Sequence, residues 1–420
     1  MELTAEIIGV GTELLLGQTA NTDARDISEG LSMLGINVYY HTVVGDNPSR
    51  LRLAVEIAKR RADIIITTGG LGPTCDDLTK QVLAECFGKK LVFHEKEAER
   101  IRSYFENVLH KTEITENNMS QAMLPEGCTI FHNEWGTAPG CAFRGDGKYV
   151  IMLPGPPREC VSMFKNCVVP YLKELSDSEI ISHNIRIFGL GESVVEDMLR
   201  DKMLELKNPT LAPYAKEGEV MLRVTAKASS VEEAEEMMKP VIETVRETLG
   251  EFIYAIDEEN LESVVMRILS EKNLTLSAAE SCTGGLLQKR ITDIPGASKV
   301  FPGGFVTYSD KAKIEYLGIP KELLEEEGAV SQAVARAMAE AVKAKMGTDF
   351  GIGITGVAGP DPDERGNEVG KVFIALAAFD GTYSREFHLG ADRSRIRTMA
   401  ANHALDMLRR YLTGAKVVGA

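Results

Sequence analysis

The sequence predicts an α/β protein with two parallel or mixed-sheet α/β domains joined by a small α+β domain. Apolar strand patterns alternate with helical patterns in the first 170 residues, and the same alternation returns after residue 257. Between them lies a segment with one long helical pattern flanked by strands. At about 150 residues per domain, 420 residues suggest three domains. The predicted boundaries are 1–170, 171–257 and 258–420.

The elements of the first domain follow from its apolar runs. Short β-branched runs predict strands, and the longer stretches between them have the apolar spacing of amphipathic helices. Such alternation is typical of a parallel sheet covered by helices. The predicted strands are 5–11, 36–45, 62–70 and 148–155, and the predicted helices are 21–35 and 49–62.

The second and third domains are predicted in the same way. Pro240 lies inside a helical pattern and is expected to kink or split that helix, because proline lacks the amide proton. The second domain should contain strands 218–228 and 251–256 around helix 231–250. The third should contain strands 274–280, 303–309, 350–356, 371–379 and 384–390, with helices 285–294, 331–347 and 393–412.

Composition excludes several classes of partner. The formal charge of −15, without a long basic run, argues against nucleic acid or an acidic membrane surface. The first apolar run has no basic segment before it, so it predicts a core strand, not a signal peptide. No apolar stretch reaches the ~18 residues that span a bilayer. The seven scattered cysteines are typical of reduced cytoplasmic thiols, not of disulfides or zinc ligands.

Small-residue loops follow the predicted strands of the first domain. In an open parallel sheet, ligands bind at the carboxyl ends of the strands. In TTGGLGPTCDD, the amides of Gly69, Gly70 and Gly72 are suited to phosphate, and Asp76 and Asp77 to a hard cation such as magnesium or manganese. The alternative is that the glycines only form turns and that one aspartate caps the next helix.

The stretch AESCTGG is a second candidate for an active site. A strand ending near Glu280 and a helix starting near Thr283 would leave the amides of Thr283, Gly284 and Gly285 free to bind an oxyanion or a phosphate. Ser281 would then be a candidate nucleophile. The alternative is that Ser281 or Thr283 is an ordinary N-cap. Cys282 is a weaker candidate, because free cysteines are mostly small core residues.

A base for this serine is predicted in GGFVTYSDKAK. Ser309 or Asp310 should cap a helix that carries Lys311 and Lys313 in its first turn. The positive end of the helix dipole favours the neutral amine, which a general base must be. A serine–lysine pair is a known nucleophile–base arrangement, and Tyr308 is placed to assist it. The alternative, that a lysine is only a solvated surface charge, suits Lys311 better than Lys313.

The remaining polar loops of the third domain suggest ligand contacts. GIGITG matches the spacing GxGxxG, but no helix follows directly, so it is not a dinucleotide-binding motif. We expect Gly356–Pro360, with Ala358 and Gly359, to contact phosphate or ribose, and 361–366 to be a mobile flap. Arg393 suits a bidentate grip on phosphate, although a surface ion pair would also explain it.

The motifs of the first domain resemble those of a known family. TTGGLGPTCDDLT is similar to the signature loop of the molybdopterin-binding fold, and GTELLLGQTANT and LPGPPRE to motifs of the CinA family. The resemblance implies an ADP-ribose pyrophosphatase that uses Mg, Mn or Co. The family often has asparagine where Asp23 stands. The implied site residues are Glu13, Asn21, Gly70, Asp76, Asp77 and Glu159.

The third domain resembles the nicotinamide-nucleotide amidohydrolase domain of the same family. AESCTGG, GGFVTYSDKAKIEYLG, GVAGPD and ADRSRIR carry the resemblance, which covers residues 261–412. It implies Ser281 as nucleophile, Lys313 as base and Tyr308 as auxiliary, without a cofactor. The segment DPDERGNEVG departs from the family pattern, so the resemblance implies no contacts for the flap.

The function implied is deamidation of nicotinamide mononucleotide and cleavage of ADP-ribose in pyridine-nucleotide salvage, by a cytoplasmic homodimer with no nucleic-acid or membrane partner. One alternative is a module that binds a pterin or nucleotide without cleaving it. Another is a competence or DNA-damage interaction protein, although no residue pattern here encodes that role.

Overall fold

The computed structural model describes residues 3–110, 114–174, 179–216, 218–258, 260–390 and 392–417. The chain forms two compact units, one of Met1–Ser182 with Ala226–Glu236 and the other of His183–Thr225 with Met237–Ala420. Helices and strands are mixed in both, so the predicted α/β class is confirmed. The three predicted domain boundaries are not tested by this division and stay predictions.

The first unit contains a six-stranded mixed sheet of order β2-β1-β3-β8-β7-β6. Strands β2, β1, β3 and β8 run parallel, as predicted, and β7 and β6 add antiparallel pairs at one edge. A separate pair, β4 and β5, was not predicted. The strands are β1 (Thr4–Val10), β2 (Asn37–Val44), β3 (Ile64–Thr68), β4 (Leu91–Phe93), β5 (Met123–Pro125), β6 (Thr129–Phe131), β7 (Gly140–Gly145) and β8 (Lys148–Leu153).

Helices pack on both faces of this sheet. One core joins Ile7 and Ile66 to Ile27 and Leu31, and another joins Ile8 and Ile65 to the next helix along the chain. The helices are α1 (Thr12–Leu15), α2 (Thr22–Met33), α3 (Pro48–Arg61), α4 (Thr79–Cys86), α5 (Glu95–Asn107), α6 (Glu116–Met119), α7 (Pro157–Met163) and α8 (Val169–Lys173). The two predicted helices correspond to α2 and α3.

The middle segment forms a four-stranded sheet of order β10-β11-β9-β12. Its elements are β9 (Glu179–Ile187), α9 (Glu192–Glu205), β10 (Thr210–Lys216), β11 (Glu219–Ala228), α10 (Val231–Leu249) and β12 (Ile253–Ile256). Helix α10 runs through Pro240 without a break, so the predicted split is wrong. An interior proline costs about 3 kcal/mol, but the buried side chains of Met238, Val241 and Val245 on this helix contribute more than that.

The C-terminal segment forms a five-stranded sheet of order β14-β13-β15-β16-β17. Strands β14, β13 and β15 are parallel, and β16 and β17 are antiparallel. The elements are α11 (Leu261–Glu271), β13 (Leu276–Glu280), α12 (Leu286–Thr292), β14 (Gly303–Val306), α13 (Asp310–Ala312), α14 (Lys321–Glu327), α15 (Gln332–Met346), β15 (Phe350–Gly356), β16 (Lys371–Ala377), β17 (Thr382–His388) and α16 (Arg393–Thr413). All five predicted strands are present.

The glycines of GIGITG serve packing of strand against helix. A Cβ added to Gly351 would lie 2.1 Å from the carbonyl oxygen of Ala339, and one added to Gly353 would lie 2.3 Å from that of Ala335. The glycines therefore let β15 approach α15 closely. The next element is the antiparallel strand β16, not a helix, which confirms that the motif is not a dinucleotide-binding turn.

Within the part of the chain that the structure describes, no helix combines the length and apolar character needed to cross a membrane.

Candidate active sites

Ser281 and Lys313 lie side by side at the carboxyl ends of two parallel strands. Ser281 directly follows β13, and its amide donates to the carbonyl of Ile354 on β15 at 2.9 Å. Ser309 caps α13, as predicted, and the chain continues at Lys313 into a π-helical turn. The Nζ atom of Lys313 lies 3.3 Å from the Oγ atom of Ser281 and donates to the carbonyl of Thr307 at 3.1 Å.

The surroundings of Lys313 favour its neutral form. Its side chain is 1% exposed, whereas Lys311 on the same turn is exposed to solvent. Burial lowers the pKa of Lys313 below the usual value for lysine, and the Asp310 carboxylate, 3.8 Å away, opposes that shift. A neutral amine has a lone pair that can accept the proton of a neighbouring hydroxyl.

Tyr308 and Arg393 form a polar bridge at the rim of this site. Arg393 donates to the phenol oxygen of Tyr308 at 2.9 Å and to the carbonyl of Gly359 at 2.6 Å. Both side chains are exposed. Because Arg393 supplies a donor to the phenol oxygen, the proton of Tyr308 is left to donate to a ligand. The predicted loop of Ala358 and Gly359 is thereby joined to α16.

A cavity of about 210 Å³ opens beside the serine. Sequence reasoning did not assign two polar residues of its wall to the site, because it treated Asp310 only as a possible helix cap and Thr355 only as part of a strand. Typical ligand pockets have about 300–1,000 Å³, so this cavity has room for only part of a molecule of that class. Six predicted site residues line it: Ser281, Tyr308, Lys313, Gly356, Ala358 and Arg393.

The turn after Ser281 differs from the prediction. Helix α12 begins at Leu286, within one residue of the predicted 285–294 helix but three residues after the start near Thr283 that the free amides require, and Gly285 is its N-cap with φ 90°. The amide of Gly284 donates to the carbonyl of Ser281 at 3.0 Å, and that of Gly285 donates to the Glu280 carboxylate at 3.0 Å. The predicted row of free amides over Thr283–Gly285 is therefore wrong for these two glycines, since local partners occupy them.

Two residues that the sequence did not single out hold this turn. Glu280 accepts hydrogen bonds from the amides of α12, and Arg397 donates to the carbonyl of Thr283 at 2.6 Å and 3.2 Å. The partner of Arg397 lies 114 residues away in the sequence, so no local pattern could reveal it, whereas Glu280 was read only as the end of a strand.

Cys282 is unsuited to nucleophilic attack. Its side chain is buried, and burial, with a further contribution from the Glu280 charge, raises the pKa of the thiol to about 12. The thiolate is the reactive form of cysteine, and it is almost absent at neutral pH for such a group. The structure therefore favours the predicted ranking of Ser281 over Cys282.

Residues 361–366, predicted to be a mobile flap, form hydrogen bonds with neighbouring residues. Arg365 donates to the carbonyls of Leu324, Glu325 and Glu326 at the end of α14. Asn367 donates from its amide and its side chain to Asp363 at 2.8 Å each. These bonds give the 361–366 segment a defined position in this structure.

In the first unit, the loops after the parallel strands meet at one edge, as predicted. A Cβ added to Gly69 would lie 2.2 Å from the carbonyl oxygen of Val10, and one on Gly155 would lie 3.1 Å from Gly69. With φ 93°, position 69 requires glycine for both reasons. Asp46 accepts from the amide and hydroxyl of Thr12 at 2.9 Å and 2.8 Å, and these bonds join the loop after β2 to the segment after β1.

The two aspartates of the glycine-rich loop are held by Thr74. Asp77 accepts from the Thr74 amide at 2.9 Å, and the Thr74 hydroxyl donates to both carboxylates. That hydroxyl lowers the pKa of Asp76. The N-cap of α4 is Leu78, so neither aspartate caps the helix and the alternative explanation for them is not supported. Gly70 and Gly72 leave no room for a side chain. A Cβ added to Gly72 would lie 2.5 Å from Asp77, and one added to Gly70 would lie 2.1 Å from Thr79.

The other predicted residues of this unit lie at the starts of helices. Asn21 caps α2 by accepting from the Ala24 amide at 3.1 Å. Glu13 lies in the first turn of α1, against Gly11. Glu159 accepts from the Asn133 amide group at 2.6 Å, and burial raises its pKa. Among the described residues, no three His, Cys, Asp or Glu side chains are grouped closely enough to hold a metal ion by themselves.

Asp23 is a buried carboxyl that sequence reasoning noted only as a departure from the family pattern. It is 6% exposed, and its Oδ1 atom has no hydrogen-bond partner among the described residues. Burial is the main cause that raises its pKa to about 6; the Asp26 charge raises it further, and a hydrogen bond with Cys160 opposes the shift. The charged form is therefore destabilised in the folded protein.

We expect Asp23→Asn to stabilise the protein at pH 8 by about 2–3 kcal/mol. Below the unfolded-state pKa near 3.8, Asp23 is neutral in both states and costs nothing. As pH rises towards the folded-state pKa of about 6, wild type loses stability that asparagine keeps. Urea unfolding at pH 4 and pH 8 measures this. An equal gain at both pH values would contradict an ionisation effect.

Three family models match successive parts of the chain. "Probable molybdopterin binding domain" matches residues 6–174, "Damage-inducible protein CinA KH domain" matches 182–255, and "CinA C-terminal domain" matches 258–412.

Curated relatives match over nearly the whole length. A "CinA-like protein" of Dictyoglomus turgidum is 48% identical over 410 residues, 98% of this chain and 99% of the relative. A "Putative competence-damage inducible protein" of Acetivibrio thermocellus is 48% identical over 414 residues, 99% of this chain and all of the relative.

Solved structures match parts of the chain. A CinA protein of Thermoplasma acidophilum, described as having unknown function, is 32% identical, with a TM-score of 0.38, over 42% of this chain and 99% of that one. The competence/damage inducible protein CihA of Agrobacterium tumefaciens is 36% identical, with a TM-score of 0.35, over 37% of this chain and 97% of that one.

Proposed function

Because this chain belongs to the CinA family, we propose that its C-terminal domain hydrolyses the carboxamide of nicotinamide mononucleotide. The products are the nicotinate nucleotide and ammonia. The observation that carries the proposal is the 3.3 Å separation of the Ser281 hydroxyl from the buried amine of Lys313. A serine hydroxyl is a weak nucleophile without an adjacent base, and this amine supplies one.

The acylation half-reaction needs only this pair and the amide. The Ser281 oxygen attacks the carboxamide carbon while Lys313 takes the hydroxyl proton, and the carbonyl π electrons move to oxygen. Collapse of that intermediate re-forms the carbonyl and breaks the C–N bond. Lys313 returns its proton to the leaving nitrogen, and ammonia departs from a Ser281 ester.

Deacylation reverses the proton transfers. A water molecule attacks the ester carbon and gives a proton to Lys313, and collapse expels the Ser281 oxygen. Lys313 then returns the proton to that oxygen, which restores the free serine. No cofactor takes part in either half of the proposed reaction.

Tyr308 and Arg393 are proposed to recognise the substrate at the rim. The Tyr308 phenol donates to developing negative charge at the carbonyl oxygen, because its own oxygen already accepts from Arg393. The Arg393 guanidinium, exposed beside the Ala358–Gly359 loop, has N–H groups left for the phosphate. Tyr308 and Arg393 are thus proposed to do what the sequence predicted for the amides of Gly284 and Gly285, because those amides donate to local partners.

For the N-terminal domain we propose cleavage of the ADP-ribose pyrophosphate with a divalent cation (Mg, Mn or Co). Mg²⁺ commonly uses one or two protein carboxylates, with substrate phosphates and water completing the shell. Two adjacent carboxylates at a glycine-rich strand-end loop suit that donor set, whereas a site made by three protein side chains is not found among the described residues. Asp76 and Asp77 would hold the ion directly, and Glu13, in the first turn of α1, would act through water.

A bound cation would neutralise charge on the phosphates and polarise the bridging oxygens. The residues of the chain would do the rest. The backbone of Gly69, Gly70 and Gly72 gives phosphate close access, and Asn21 and Glu159 border the same edge from α2 and α7. The raised pKa of Glu159 suits proton transfer at the pyrophosphate.

We expect Asp77→Asn and Asp76→Asn each to lower metal-dependent release of AMP from ADP-ribose at least 100-fold, because removing a ligand charge weakens cation binding. Asp26→Asn, at a half-buried aspartate of α2 that pairs with Arg25, is the matched control and should be unchanged. Titration of each variant with Mn²⁺ by calorimetry gives a second readout. Wild-type protein that binds ADP-ribose but releases no AMP with any of the three cations would make this domain a binding module.

The direct test of the deamidase proposal is ammonia release. Purified full-length protein is incubated with nicotinamide mononucleotide, and ammonia and the nicotinate nucleotide are quantified together. Equal amounts of both products support the proposal. If neither forms, the amide hydrolase is excluded, and an interaction role becomes the better account.

We also propose that the protein is a homodimer, and light scattering during gel filtration measures its mass. A salt-dependent DNA titration tests the expected lack of nucleic-acid binding.

A further inference from the structure

We infer that Glu280 is a positioning residue that holds the nucleophilic Ser281 in line with Lys313, an inference that rests on the proposed amide hydrolysis at Ser281. Glu280 is the last residue of β13 and immediately precedes the serine. Its side chain is fully buried. A buried charge is retained only where strong hydrogen bonds satisfy it.

Three backbone amides satisfy this carboxylate. Gly285 and Leu287 donate to its Oε2 atom at 3.0 Å and 3.2 Å, and Gln288 donates to Oε1 at 2.8 Å. They belong to the start of α12, where free amides and the helix dipole favour a negative charge. Both carboxylate oxygens are therefore directed at the same helix end.

The backbone of Glu280 is held as firmly as its side chain. Its carbonyl accepts from the Thr307 amide at 2.8 Å, and the residue pairs with Val306 on one side and Ile354 on the other. One residue thus joins the centre of the sheet to the start of α12. The nucleophile lies inside the short loop that this residue closes.

Further bonds fix the loop around the serine. The Ser281 amide donates to Ile354, and its carbonyl accepts from Gly284. Arg397 holds the Thr283 carbonyl from α16. Because every link runs through the segment 280–288, loosening the Glu280 carboxylate frees the turn that sets the direction of the Ser281 hydroxyl.

The way α12 is capped distinguishes this from ordinary helix capping. Helices α11, α13, α15 and α16 are capped by the side chain of their own N-cap residue. The N-cap of α12 is Gly285, which has no side chain, and the cap comes from five residues upstream, next to the nucleophile. A local serine or aspartate would cap the helix equally well, but it would not connect the helix to Ser281.

Glu280→Gln tests the inference in the full-length protein. Glutamine keeps the shape but has one acceptor oxygen, and its NH₂ group faces amides that also donate. We expect kcat for ammonia release to fall about 100-fold with KM changed less than twofold, because an error of about 1 Å in a reacting group costs about that much. The rate at which a fluorophosphonate probe labels Ser281, followed by peptide mass spectrometry, should fall similarly.

Asn260→Ala is the matched control, because it removes a cap from α11 outside the site. It should lower Tm by about 2–4 °C and leave kcat and labelling unchanged. If Glu280→Gln loses Tm in the same way but keeps both rates within threefold of wild type, Glu280 is only a structural cap and the inference fails. If Glu280→Gln does not fold, Glu280→Asp, one methylene shorter, should lower both rates about tenfold; unchanged rates would again overturn it.

The two readouts separate this inference from the proposed function. Wild-type protein that labels rapidly at Ser281 but releases no ammonia would refute the substrate, while the labelling rates of the Glu280 variants still decide the positioning role. Wild-type Ser281 that labels no faster than Ser281 in Lys313→Met would refute the activated serine, and the positioning role with it.

Discussion

Replacing Ser281 with alanine is expected to lower kcat for ammonia release from nicotinamide mononucleotide about 10⁴-fold or more. The hydroxyl is the only group proposed to bond to the carboxamide carbon, and losses of this size follow removal of a serine nucleophile. Substrate affinity should change little, because Tyr308 and Arg393 are unaffected. Product release under single-turnover conditions and equilibrium binding measure the two quantities separately.

Cys282→Ala is the control for the serine variant. Cys282 is buried next to Ser281, and its thiol stays protonated at neutral pH because burial raises its pKa to about 12. We therefore expect kcat within threefold of wild type. A dead Cys282→Ala variant together with an active Ser281→Ala variant would assign the nucleophile to the cysteine and refute the mechanism.

Replacing Lys313 with methionine is expected to lower kcat about 10³-fold, within the 10²–10⁴ range of general acid–base catalysis. Methionine has nearly the same length and suits a side chain that is 1% exposed, so the fold should persist. In wild type, kcat/KM should rise with pH as the amine loses its proton. Because burial lowers the pKa of Lys313, that rise should come at a pH below the usual lysine value near 10.4.

Lys311→Met provides the matched control, because Lys311 precedes Lys313 by two residues and is exposed. It should keep both the rate and the pH profile. Loss of the alkaline rise in Lys313→Met, with the rise retained in Lys311→Met, assigns the titration to Lys313. An unchanged pH profile in Lys313→Met would show that another group accepts the serine proton.

Strands and their loops were predictable because their signals are local. Runs such as EIIGV and IIITT are β-branched and apolar, and glycines follow them directly. The carboxyl ends of parallel strands share one edge of a sheet, so Ser281 and Lys313 were expected to meet once β13 and β14 were neighbours. Neither the capping of α13 by Ser309 nor the rejection of the GxGxxG motif needed any long-range information.

The errors arise where packing, or a hydrogen bond that no periodic pattern encodes, decides the structure. Of the amides that were expected to be free, that of Gly285 donates to the Glu280 carboxylate and that of Gly284 donates to the Ser281 carbonyl. Pro240 stays within α10 because burial of that helix outweighs a lost hydrogen bond. The burial of Asp23 depends on how α2 packs, and strands β4, β5 and β6, with three residues each, are too short for a periodic pattern.

The central claim is that the Ser281 oxygen forms a covalent bond to the substrate with Lys313 as its base, and trapping the acyl-enzyme tests it most directly. Full-length protein is mixed with nicotinamide mononucleotide, quenched in acid within milliseconds, digested and analysed by mass spectrometry. We predict one acyl group per chain on the peptide that contains Ser281, and none in Ser281→Ala or Lys313→Met. An acyl group on Cys282, or full turnover with Ser281 replaced, would contradict the account.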